Sequence, residues 1–124
     1  MVDNAKQIAY WKHSADEDFV VAGELVEKGR YRHGLFFMHL ALEKLLKAHV
    51  CKRTGALAPK IHNLIRLAEL GQLRIPEDIL NAMAKLNEFN LEGRYPIVAP
   101  LSRSETDNYM AMAKETFGWL MMQL

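Results

Sequence analysis

The stretch "RYRHGLFFMHLALEKLLKAHV", residues 30–50, decides the fold. Leu35, Met38, Leu42, Leu45, Leu46 and His49 recur at helical spacing. Phe37, Ala41 and Ala48 make a second, smaller-residue face. Two apolar faces require two neighbours, so this segment reads as the central helix of an all-helical protein, over residues 31–54. It nonetheless carries Arg32, His39, Glu43 and Lys47. A helix turns every 3.6 residues, so Arg32, His39 and Glu43 stand nearly above one another, with Lys47 a turn further on. This polar ridge is the candidate functional feature.

Working outward, residues 4–28 form a first helix whose shared face holds Ile8, Trp11, Ala15, Ala22, Leu25 and Val26, closed by Gly29. Asp18 falls on that apolar side, where an unpaired carboxylate is costly. It therefore requires a cation from the central helix, Lys44 or Lys47. After Gly55 and the loop "GALAPK", a short helix holds Leu64, Leu67 and Ala68 and stops near Gly71. Pro76 opens a fourth helix with Ile79, Leu80, Met83, Leu86 and Phe89 on one face. "LEGRYPIVAP" is irregular. Ser102 and Glu105 have capping-box spacing at the start of the last helix, which is expected to bury Tyr109, Met112, Phe117 and Leu120. The expected fold is all-α, an antiparallel up-and-down bundle of four long helices plus one short helix, with residues 1–124 as one domain.

Composition is that of an ordinary globular domain: 124 residues, half apolar, a quarter charged, formal net charge +1. Near-zero net charge argues against a strong non-specific grip on nucleic acid. Locally, however, Lys44, Lys47, Lys52, Arg53, Lys60 and Arg66 cluster between 44 and 66, and the first helix is acidic. The longest apolar run falls well short of the ~20 residues of a membrane span. The lone Cys51 and the polar start "MVDNAKQ" point to a cytoplasmic protein. Cys51 reads as a small buried hydrophobe. His39 and Glu43 offer only two ligands on one helix, and no other helix adds a Glu-x-x-His pair. No metal and no cofactor are expected.

Four segments, "SADEDFVVAGEL", "YRHGLFFMHLALEKLLKAHV", "PKIHNLIRLAE" and "LEGRYP", together resemble the HEPN family, the higher eukaryotes and prokaryotes nucleotide-binding domains. The order and separations are similar to those of stand-alone prokaryotic members, over nearly the whole chain. The resemblance implies a helical bundle that forms homodimers and partners a minimal nucleotidyltransferase, as in toxin–antitoxin pairs. Other members are metal-independent ribonucleases with an Arg-x(4–6)-His signature, in which histidine moves protons and arginine stabilises the phosphorane.

Arg32 and His39 have the ribonuclease spacing, but seven arginines and five histidines in this chain give about one such match by chance. The family places its motif on a later helix. There Arg94 begins "RYPIVAPL", without histidine. The expectation is therefore a non-catalytic partner protein. Its candidate nucleotide- or phosphate-binding residues are His39, Glu43, Lys47, His62, Arg94 and Tyr95, with Asp18 and Lys44 as a structural polar pair. A ribonuclease using Arg32 and His39 is the first alternative, with RNA as substrate. A ligand-free adaptor is the second. Under the structural reading of the ridge, Glu43 and Lys47 form an i,i+4 ion pair and His39 is half-buried beside them.

Overall fold

The computed structural model describes residues 3–89 and 100–124. Within them run α1 (Asn4–Glu27), α2 (Tyr31–Thr54), α3 (Leu64–Leu70), α4 (Glu77–Leu86) and α5 (Arg103–Gln123), and no strand is present. A 3-10 turn, Asn87–Phe89, follows α4. The fold is the all-helical antiparallel bundle expected from the sequence.

Each helix begins and ends for a local reason. The Asp3 side chain accepts the Lys6 amide at the start of α1, and Gly29, at φ +78°, supplies the left-handed turn into α2. Gly55, at φ +70°, ends α2 by donating its N–H to the Cys51 carbonyl. Asn63 caps α3 through the Arg66 amide. Ser102 and Glu105 form both halves of the capping box on α5.

The α1–α2 hairpin is the tightest junction. A Cβ on Gly34 would meet Val26 Cγ2 at 2.5 Å and the Ala22 carbonyl oxygen at 3.0 Å. Only glycine lets the two backbones approach so closely. Leu35, Met38, Leu42, Leu45 and Leu46 of α2 are completely buried, so α2 is the axis of the core. Phe19 of α1 stacks on Phe117 of α5, ring centroids 4.3 Å apart, which closes the bundle around it. His49, inside α2's apolar stripe, donates Nε2–H to the Leu120 carbonyl at 2.8 Å and ties the end of α5 to α2.

Three details differ from the sequence reading. In α5, Tyr109 and Met112 are half-buried; Thr106, Met110, Ala113 and Thr116 are buried alongside Phe117 and Leu120. The threonines can go inside because their hydroxyls donate to carbonyls four residues back, Ser102 at 2.8 Å and Met112 at 2.9 Å. Pro76 sits at the N-cap of α4, one position before the first turn. Within α4, Leu80 is 37% exposed, and Phe89 reaches the core through the 3-10 turn against Tyr109.

Candidate functional site

The polar ridge of α2 is buried: His39, Glu43 and Lys47 are 1%, 4% and 7% exposed. Burying a carboxylate without partners costs several kcal/mol, and Glu43 answers that cost with basic neighbours. Lys47 Nζ lies 3.2 Å from one oxygen. His62, from the loop before α3, donates Nδ1–H to both oxygens at 3.1 Å. His39 Nδ1 is 3.9 Å away on the third side. The Lys47 ammonium also stands over the Trp11 ring of α1, 5.3 Å from its centroid. Four of the candidate residues thus form one network.

His39 is fully rather than half-buried. Burial holds its pKa below the ordinary histidine value, the Glu43 carboxylate and the Asn87 side chain oppose that effect, and His62 reinforces it. Its Nε2 makes no hydrogen bond of good geometry. The imidazole is therefore neutral near pH 7, and Lys47 supplies the charge that balances Glu43. The network meets the surface at His62, whose side chain is 36% exposed.

Two asparagines place that edge. Asn63 Oδ1 caps α3 and also receives Asn87 Nδ2 at 3.4 Å, while Asn87 Oδ1 accepts the Leu64 amide at 2.9 Å. His62 lies one residue before that cap and turns back to Glu43, so Asn63 does the capping.

The other candidates lie elsewhere. Lys44 Nζ is 2.7 Å from Asp18 and donates to Ser14 at 2.8 Å, a clasp between α2 and α1. Arg32 stands about two turns, roughly 10 Å of helix rise, before His39. It lines a cleft at the start of α2, while His39 is enclosed. Arg94 and Tyr95 fall outside the described residues. Cys51 is buried, and desolvation raises its thiol pKa, which keeps it protonated and unreactive. Among the described residues no three His, Cys, Asp or Glu side chains are grouped to hold a metal, and no helix is long and apolar enough to cross a membrane. Trp11, Asn63 and Asn87 are the members that sequence reading missed. Their only local signals were a core-facing tryptophan and a cap-forming asparagine.

A helical bundle built on one central helix, with a buried acid–base network beside the third helix, defines the class. The HEPN domain pattern matches residues 8–123, and the chain belongs to that family. The fold is similar to TT1696 from Thermus thermophilus, with a TM-score of 0.78 and 22% identity over 95% of this chain and 98% of that one. It is also similar to ST0689, an archaeal HEPN homologue, with a TM-score of 0.73 and 20% identity over 94% and 96% of the two chains. At such identities the likeness is one of fold. No curated protein matches the sequence.

Proposed function

We propose that this chain is a non-catalytic HEPN partner protein, a homodimer that binds a minimal nucleotidyltransferase subunit and presents the His62 edge of its polar seam to a nucleotide phosphate. The observation that carries this reading is the composition of the network: one buried carboxylate faces three basic side chains, and a single imidazole of the three is half-open to solvent. A displaced His62 would present both Lys47 and its own imidazole to an incoming anion. The setting of His39 also favours binding over cutting. A proton-transfer histidine must reach a ribose hydroxyl, and His39 is 1% exposed with Arg32 two turns away.

Co-purification with a candidate nucleotidyltransferase and titration with nucleoside triphosphates test the reading, alongside sedimentation for the dimer. His62→Ala is expected to weaken nucleotide binding without unfolding the protein. Failure to bind either partner removes the proposal. Metal-independent RNA cleavage that disappears in His39→Ala replaces it with the ribonuclease reading.

A further inference from the structure

Two long helices turn large apolar side chains to solvent, in different company. On α5 the exposed one is Met122, at the very end of the helix. On α1 there are two, Tyr10 and Val20, 60% and 58% exposed. Val20 borders a shallow depression of about 380 Å³ whose walls, among the described residues, are Asp16, Glu17, Val20 and Val21. Tyr10, Glu17, Val21, Glu24 and Lys28 follow one another at helical spacing, so they share one outward line.

Charge is sorted along that line. Asp16, Glu17, Glu24 and Glu27 are exposed on the body of the helix, where Glu17 meets the exposed His13 at 2.8 Å. Base gathers immediately beyond it. Lys28, Arg30 and His33 are exposed, and from Lys28 to Leu42 the chain has no acidic residue. The face thus reads acid first and base second around an apolar centre. Its complement must read base first and acid second, which is the same helix running the other way.

We infer that a second copy of this chain docks on the outward face of α1, antiparallel about a twofold axis close to Val20 and Val21. The twofold makes each contact twice: Glu17 meets the partner's Lys28, and Lys28 meets the partner's Glu17. The valines cover one another at the centre, and the charge pairs at the rim fix the register. A parallel arrangement would set Glu17 against Glu17 and Lys28 against Lys28. This inference rests on the homodimer of the proposed function and names its surface.

Sedimentation of the whole chain over a concentration series tests it. The parent is expected to dimerise, and Val20→Asp to raise the dissociation constant at least tenfold. Glu17→Lys and Lys28→Glu should each weaken self-association at least tenfold, because like charges then meet twice. Mixed in equal amounts, those two variants should form a heterodimer with affinity close to the parent's, since the reversed charges match again across the axis. All three positions are exposed, so circular dichroism and Tm should stay at the parent values. A parent that stays monomeric overturns the inference together with the homodimer it rests on. A parent dimer that all three variants leave within twofold overturns the surface alone. A dimer lost in Gly118→Arg but kept in Val20→Asp moves the interface to α5 and overturns the assignment to α1. Failure of the mixed variants to associate overturns the pairing of Glu17 with the partner's Lys28.

Discussion

Glu43 and Lys44 are chain neighbours, about 100° apart around α2, and each heads a buried or half-buried acid–base cluster. Lys44 turns to α1, where Asp18 and Ser14 receive it; both partners belong to a long helix locked by packing, and the charges match one to one. Glu43 turns to the loop before α3, where the bases outnumber the acid and one of them comes from a short, half-exposed segment. The same pair chemistry therefore does two jobs. Matched partners on rigid helices make a clasp. Under the proposed function, a partly exposed imidazole at the end of a network marks where an outside anion would compete.

The contrast can be broken most forcefully at Glu43. Glu43→Ala strands the Lys47 ammonium in a buried site, and a loss of about 3–5 kcal/mol is expected in chemical denaturation. If the seam is merely apolar filler, Glu43→Leu with Lys47→Met restores the parent stability while nucleotide or partner binding stays intact. Gly34→Ala probes the frame that both clusters share. The stiff Val26 side chain and the Ala22 carbonyl block a new methyl group, so about 2 kcal/mol is lost despite alanine's better helix propensity, read as a fall in Tm of roughly 8 °C.

Acid offers a smaller and more selective perturbation. His39 and His49 are buried with pKa values held below the ordinary 6.5, chiefly by desolvation. The unfolded chain binds these protons more readily, so stability is complete above about pH 6.5 and declines as pH falls through that value toward the lowered ones. A Tm a few degrees lower at pH 5.5 than at pH 7.5 is expected, with a shallower slope in His49→Gln. The smallest effect belongs to the clasp. Asp18→Ala should cost about 1 kcal/mol, because the pair is partly open to water, and should leave nucleotide and partner binding unchanged. A loss of binding in that variant would erase the distinction between the two clusters.

Helix positions were legible because burial imposes a 3.6-residue period on every element, and Gly29, Gly55 and Ser102 mark ends by chemistry that is local in the chain. The α2 half of the seam was legible for the same reason, since His39, Glu43 and Lys47 follow one another at i,i+4 spacing. Its other half was not. His62 was named as a candidate, but that it, Trp11 and Asn87 meet α2 follows from the packing of separate elements, and no spacing along the chain encodes which side chains will converge. Burial of Thr106 and Thr116 escaped for a related reason: a hydroxyl that satisfies itself on its own helix no longer behaves as polar.

The paired asparagines carry one last implication. A helix of only seven residues cannot hold its shape unaided, so α3 borrows its starting point from Asn87, on a turn that belongs to a different part of the chain. Whatever grips Asn87 sets the angle at which the imidazole two residues ahead of α3 approaches its acid. A ligand or subunit docking over that turn could retune the seam remotely, by loosening a single side-chain amide, without touching any charged group.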